Sequence, residues 1–286
     1  MDIQEIISKL NKENTLNSEV IMHKPLSGGT VSQLFLLQTK DGKKYALKVN
    51  EPKIIQSEVQ YLKSYSHLEI LPDFQFVEAT NKYLVYSFIE GSTSYISGNK
   101  RELLETLVHE LINHYKTAPD FNGWGWADEP THSWYSFLLS RTQEASGILD
   151  THLKKEDYHL VVDLIEKHKE SKIRPFLLHG DLGVHNFIFH NGQLKGVIDP
   201  CPVIGDPLYD FIYAFCSSPD DLTKATFDAA TVCLSVGKNY ETSTIYEYVL
   251  IGLYHRLATC KKHHPNDFEE YVKAWYYWKE ILVKSL

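Results

Sequence analysis

No uncharged apolar run in the 286-residue chain reaches 18 residues, so no membrane-spanning helix is expected. The opening stretch MDIQEIISKLNKEN is acidic and mixed, without the basic start or cleavage site of an export signal. The four cysteines, Cys201, Cys216, Cys233 and Cys260, are 15, 17 and 27 residues apart and form no CxxC pair. Neither a zinc site nor a redox motif follows from them. They read as reduced thiols of a cytoplasmic protein. The fourteen histidines contain no HExxH, and His263-His264 read as part of a solvated KKHHPND turn. Internal repeats and low-complexity tracts are also missing. With 43% hydrophobic and 23% charged residues, the composition excludes disorder and a collagen-like repeat. Length alone suggests about two domains or lobes.

A basic excess is lacking too. The net charge is −8, and residues 1–89 are balanced, so the excess lies in residues 90–286, which hold 27 acids against 19 bases. Nucleic-acid phosphates need a basic face, so no nucleic-acid partner is expected. An acidic C-terminal part is compatible with a cationic small substrate or with Mg²⁺ sites, and equally with general solubility.

Within residues 1–90 the pattern is mostly that of strands. VSQLFLLQT (31–39) and YALKVN (45–50) flank Asp41-Gly42, a hairpin signal. In the second strand Tyr45, Leu47 and Val49 share one face, and Ala46 and Lys48 the other. Ile55, Val59 and Leu62 mark a short helix, and YLVYSFI (83–89) a buried strand ending at Glu90-Gly91. Beyond Gly91, helical stripes cover 101–116, 134–149, 157–169, 244–260 and 267–285, interrupted by a strand-rich island at 176–200. The expected boundaries are 1–90 for a small lobe and 91–286 for a larger one.

The island reads FLLHGDLGVHNFIFHNGQLKGVIDP. Asn191-Gly192 is a strong hairpin signal, and folding about it pairs position 186 with 197. Asp199 then lies two residues further, roughly 7 Å along the strand. An amide oxygen from Asn186 and the Asp199 carboxylate are hard ligands suited to Mg²⁺, which usually takes one or two carboxylates plus substrate phosphates. Asp181 precedes them and could accept a proton from an acceptor hydroxyl.

This arrangement resembles the catalytic loop and metal-binding aspartate of the kinase superfamily, and most closely the aminoglycoside phosphotransferases and their choline, fructosamine and homoserine kinase relatives. HGDLGVHN has that family's HGDxxxxN form, GVIDP stands where protein kinases have DFG, and GDPLYDF (205–211) is similar to the family's GDPxxD segment. The resemblance covers roughly residues 20–286 and implies an α+β, two-lobed, protein-kinase-like fold with a small β-rich N-lobe and a mainly helical C-lobe. It implies ATP or GTP as co-substrate, Mg²⁺ on Asn186 and Asp199, Asp181 as the catalytic carboxylate, and His179, Asp206 and Asp210 as supports of the catalytic loop. Ser27, Gly28, Gly29 and Thr30 resemble a degenerate phosphate loop. Lys48 resembles the lysine that grips the α- and β-phosphates, Ala46 leaves room for the base, and Glu58 is the candidate partner of Lys48. Their spacing of ten is short for the family and requires a tight link. Tyr86 would stand at the back of the pocket, with the backbone of Ser87 and Ile89 reading the base edge.

Two departures narrow the reading. Protein kinases have Arg where this chain has Gly180, and only six residues separate Asp199 from Asp206, leaving no room for a long activation loop. Both favour a small-molecule acceptor, of aminoglycoside-like, amino-sugar or amino-alcohol type, in a protein expected to be a monomer or weak dimer. FNGWGWADEPTHSW (121–134) reads either as acceptor-cleft lining or as a loop packed on the helical core. His109 and His114 read as packing or surface residues. The Trp275–Trp278 run reads mostly as core.

Overall fold

The computed structural model describes residues 2–26, 32–118, 120–121, 123–170, 173–236 and 240–285. It opens on α1 (Ile3–Lys12), which the strand-dominated reading of the N-terminal part did not include. Asp2 caps it by accepting the Gln4 N–H at 3.1 Å, and Ile6, Ile7 and Leu10 are buried on one stripe. The strands β1 (Val20–Pro25), β2 (Gln33–Thr39) and β3 (Lys44–Val49) follow, then α2 (Pro52–Ser64), β4 (Phe74–Val77) and β5 (Tyr83–Ser87). They form one antiparallel sheet of order β1-β2-β3-β5-β4. Its two faces separate as the alternation along β3 requires. Tyr45 and Leu47 join Leu37, Tyr83 and Val85 against the buried stripe of α1. Ala46 packs on the opposite face with Leu84, Tyr86 and the α2 residues Ile55 and Val59.

The remainder is helical around short strands. In order come α3 (Lys100–Glu110), β6 (Gly125–Trp126), α4 (Trp134–Leu149), α5 (Lys155–Lys167), β7 (Phe176–Leu178), β8 (Phe187–His190), β9 (Gln193–Val197) and β10 (Val203–Gly205). They are followed by α6 (Pro207–Cys216), α7 (Lys224–Thr231), α8 (Thr242–His263) and α9 (Phe268–Ser285). The helix expected over 101–116 ends at Glu110, because Leu111 leaves helical geometry (φ −132°, ψ −64°) before a 3₁₀ turn over Ile112–His114. Of the C-terminal aromatic run, Trp275 and Trp278 are fully buried, whereas Tyr276 and Tyr277 are exposed. Trp278 meets Phe215, Phe227 and Tyr246 edge-on, the arrangement aromatic rings prefer. Among the described residues, no helix is long and apolar enough to cross a membrane.

Hydrogen bonds at two places help to fix the β-rich lobe on the helical one. Tyr65, just beyond α2, donates its hydroxyl to the Leu177 carbonyl at 2.6 Å and accepts the Lys116 N–H at 2.9 Å. After β5, Ser92 and Phe189 exchange backbone hydrogen bonds of 3.0 and 2.8 Å, strapping the linker to the β8–β9 hairpin. Gly196 permits that approach: a Cβ there would meet Ile89 Cδ1 at 2.6 Å.

Candidate active site

The loop from β7 to β8 carries His179–Asn186, and buried hydrogen bonds set its shape. Asp210, on the first turns of α6 and wholly buried, accepts the His179 N–H at 2.8 Å and the Gly180 N–H at 3.0 Å. The Tyr115 hydroxyl donates to the same carboxylate at 2.6 Å. Burial pushes the Asp210 carboxyl up to about 7, against the pull of those donors. His179 is held in one tautomer: Nε2 donates to the Ile198 carbonyl at 3.1 Å and Nδ1 accepts the Asp181 N–H at 3.3 Å. Both partners suit only a neutral ring, and burial lowers its pKa to about 4. Gly180 adopts φ +83°, and a Cβ there would fall on the Cys201 carbonyl oxygen, so the loop and the residues after Asp199 are in backbone contact.

Asp206 does not share the role expected of it. Its carboxylate caps α6 by accepting the Leu208 N–H at 2.9 Å and is bonded by the Tyr240 hydroxyl. Asp206 thereby fixes the start of the helix, and Asp210, one turn on, reaches the His179–Asn186 loop.

Asp181 is surrounded by donors. Tyr213 donates to its Oδ1 at 2.5 Å, and Asn186 Nδ2 donates to its Oδ2 at 2.9 Å. His185 Nε2 lies 3.2 Å from Oδ2. Burial would raise this carboxyl, but His185 and Tyr213 outweigh it and lower the pKa to about 2. The Asn186 amide also donates to the Asp181 carbonyl at 2.9 Å, so its nitrogen is engaged and its oxygen is turned away from Asp181.

The β8–β9 hairpin turns at Asn191-Gly192, but its register differs by one residue from the even pairing. His190 and Phe189 pair with Gln193 and Leu194, then a bulge at Lys195 sets Ile188 opposite Gly196 and Phe187 opposite Val197. Position 186 therefore faces 198, and the Ile198 N–H donates to the Asn186 carbonyl at 2.9 Å. Asp199 is one residue beyond Asn186's partner, not two. It adopts φ +59°, a left-handed conformation that aspartate tolerates better than most residues.

Lys48 crosses from β3 to this point. Its ammonium donates to Glu58 Oε2 at 2.6 Å and is paired with Asp199 Oδ1. Lys48 and Glu58 side chains are 3% and 1% exposed, and Asp199 is 33% exposed. Burial alone would lower the Lys48 pKa, but the carboxylates of Glu58 and Asp199 hold it above its ordinary value. Burial pushes Glu58 up to about 7, although Lys48 pulls the other way. The tight link needed by the spacing of ten is there: β3 ends at Val49, and Pro52 starts α2.

Ala46 and Tyr86 are buried and directly paired across β3 and β5. The Ser87 N–H is spent on the Asp73 carbonyl at 2.9 Å, while no hydrogen bond to a described residue engages the Ile89 backbone. Ser27, Gly28, Gly29 and Thr30 lie outside the described residues. His109 and His114 are exposed.

Three side chains that the structure brings to or near Asp181 were not found from sequence. Tyr213 follows Asp210 by three residues on α6 and so shares its face, a signal that GDPLYD contained once 207–216 is taken as a helix. His185 lies inside the HGDxxxxN motif at a position the motif leaves unspecified. Arg141 had no signal, and only the packing of α4 against α6 and α8 brings it near. Its guanidinium donates to the Tyr209 hydroxyl and stacks on the rings of Trp126, Phe137 and Tyr209 at 5.3, 5.8 and 5.6 Å. Trp134 and Tyr213 line a cavity with it, so the 121–134 segment ends both in the core and in that cavity.

A model of the phosphotransferase enzyme family matches residues 23–232, well over half of the chain. The chain belongs to this phosphotransferase family. A curated relative, a probable ketoamine kinase of Enterococcus faecium, is 28% identical to this phosphotransferase over 226 residues, 72% of the chain and 76% of that protein. The fold is similar to that of a thermostable mutant of aminoglycoside phosphotransferase APH(4)-Ia (TM-score 0.62, 17% identity, 97% of this chain and 98% of that one). It is equally similar to choline kinase LicA from Streptococcus pneumoniae (TM-score 0.63, 15% identity, 95% and 99%). The expected two-lobed kinase-like architecture is therefore the architecture of this phosphotransferase.

Proposed function

We propose that the enzyme transfers the γ-phosphoryl group of ATP or GTP to a hydroxyl of a small amino-sugar or amino-alcohol acceptor. The observation that carries this reading is the Lys48–Glu58–Asp199 ion-pair chain meeting the Asp181–Asn186 pair where the two lobes adjoin. Lys48 would bind the α- and β-phosphates, and its engagement by two carboxylates keeps it extended and charged. The Ser87 carbonyl and the Ile89 backbone are the linker groups left for a base edge, with Ala46 and Tyr86 forming the wall. The ternary complex of the aminoglycoside phosphotransferase APH(4)-Ia with ADP and hygromycin B supports a nucleotide plus a hydroxyl-bearing acceptor as the substrate pair.

The donor set fits Mg²⁺. Asn186 has its amide nitrogen bound to Asp181 and its oxygen bonded to no described residue, and Asp199 offers the oxygen that Lys48 does not take. Two hard oxygens suit an ion whose other positions go to phosphates and water. When bound there, the ion would neutralise charge on the phosphates. Asp181 orients the acceptor hydroxyl and takes its proton as the oxygen attacks in line. Its low pKa keeps it ionised, and Tyr213 and Asn186 fix its direction. Most of the rate enhancement then comes from positioning.

The ketoamine kinase relative favours a metabolic kinase of fructosamine type over an antibiotic-modifying enzyme. The test is acceptor-dependent ADP or GDP release across aminoglycosides, fructosamines, choline and homoserine. Turnover with a fructosamine supports the metabolic reading, and turnover restricted to aminoglycosides reverses it. Absence of Mg-nucleotide binding would remove the kinase reading altogether. Asp199→Ala should weaken Mg-nucleotide binding; an unchanged Mg²⁺ dependence would count against its metal role.

A further inference from the structure

The acidic surplus of the C-terminal part is compatible with a cationic acceptor, but it does not reach the described lining of the cavity beside Asp181. Tyr213 belongs to both places: its hydroxyl donates to Asp181, and its side chain lines the cavity together with Trp134, Arg141, Tyr209, Tyr248 and Arg256. None of the described lining residues is Asp or Glu. Glu247, an acid on the same helix as Arg256, is buried against Lys167 and His168, each 2.5 Å away.

The two arginines are half-buried, and their hydrogen bonds go to neutral oxygens. Arg141 Nη1 donates to the Tyr209 hydroxyl. Arg256 donates through Nε to the Tyr271 hydroxyl at 3.0 Å and through Nη2 to the Ser217 carbonyl at 2.8 Å. Among the described residues, no carboxylate lies within ion-pair distance of either. His255, also in the lining, is buried and bonded to Thr142 at 2.8 Å. Two positive charges thus share one largely apolar cavity with no carboxylate among its described lining residues; the nearby Asp181 is engaged by the Tyr213 hydroxyl and Asn186, so an anion would complete the cavity better than a cation. Guanidinium donors match a carboxylate in geometry as well as charge. The aromatic rings around Arg141 hold its plane in place before any ligand arrives.

We propose that the acceptor carries a carboxylate, bound by Arg141 and Arg256 in the cavity that Tyr213 shares with Asp181. The proposal rests on the phosphotransfer reading and specifies its substrate class: hydroxyl-bearing amino acids or glycated amino acids with a free carboxylate. Polycationic aminoglycosides and choline are disfavoured by the same charges.

The test uses matched pairs, N-(1-deoxyfructosyl)glycine with its glycinamide counterpart and homoserine with its primary amide. Two readouts are needed. One is acceptor-dependent ADP release; the other is binding in the presence of ADP, followed by tryptophan fluorescence, for which Trp134 is a reporter in the cavity wall. The carboxylate of at least one pair should bind and react about tenfold or more better than its amide, the effect of a charge-assisted hydrogen bond. Arg141→Gln and Arg256→Gln should each shrink that preference to about twofold, chiefly through KM. Arg141→Lys should restore part of it. Amides equal to carboxylates, tighter binding of a polycationic aminoglycoside, a preference for phosphate esters, or no binding of either carboxylate at 10 mM would each overturn the proposal. Selective carboxylate binding without transfer would leave the subsite standing and remove the kinase reading. Transfer indifferent to the carboxylate would do the reverse.

Discussion

Replacing Gly180 with alanine should damage both stability and turnover, and the size of the effect follows from the backbone. At φ +83° an L-residue costs about 1–2 kcal/mol relative to glycine. The added methyl would overlap the Cys201 carbonyl oxygen and stand 2.9 Å from Val203 Cγ2, so the segment after Asp199 has to move. Forced repacking of that kind costs about 1–3 kcal/mol. The total, about 2–5 kcal/mol, lowers Tm by about 4–20 °C in a chain of this size. Moving residues 200–203 also displaces Asp199 relative to Asp181, and a misplacement near 1 Å costs about 100-fold in rate. Thermal unfolding and acceptor-dependent ADP release measure the two effects. A Gly180→Ala enzyme with Tm within about 1 °C of wild type and undiminished turnover would refute the packing of the His179–Asn186 loop on Cys201.

Other perturbations address separate parts of the site. Glu58→Gln removes one of the two charges that hold Lys48, so the Kd for Mg-nucleotide should rise about tenfold or more; an unchanged Kd would discount the pair. Tyr213→Phe removes a donor that helps hold the Asp181 carboxyl below its ordinary value, so the acid limb of kcat should move upward and kcat should fall. A limb that stays put would show that Tyr213 does not act on Asp181. His179 sits near 4 when folded and near 6.5 when unfolded, so the unfolded chain binds the extra proton between those values. Its contribution is complete above about pH 6.5 and is lost as pH falls toward 4, by about 3 kcal/mol at most. A His179→Gln variant should show a flatter Tm–pH profile across that window, and an unaltered slope would reject this origin.

Much of this arrangement was legible because it is local. HGDLGVHN, the Asn191-Gly192 turn and the face shared by Ala46 and Lys48 depend on neighbouring residues and on strand period. The bulge at Lys195 was not, because it answers to contacts of Gly196 with Ile89, more than a hundred residues earlier. Helix α6 was hidden for a different reason. PLYDFIYAFC is buried on nearly every side, so no polar stripe reveals its period, and Tyr213 went unseen with it. Asp206 and Asp210 look alike within one motif, and only tertiary packing separates a helix cap from a carboxylate that reaches the His179–Asn186 loop. Arg141 and Arg256 come from α4 and α8 and meet only in the folded helical lobe.

Asp181→Asn examines the central claim most directly, since the substitution preserves shape and removes the proton-accepting charge. Acceptor-dependent phosphoryl transfer should fall at least about 1,000-fold, within the range general-base removal produces, while Mg-nucleotide Kd stays within about threefold of wild type. Turnover close to wild type in that variant would contradict the account.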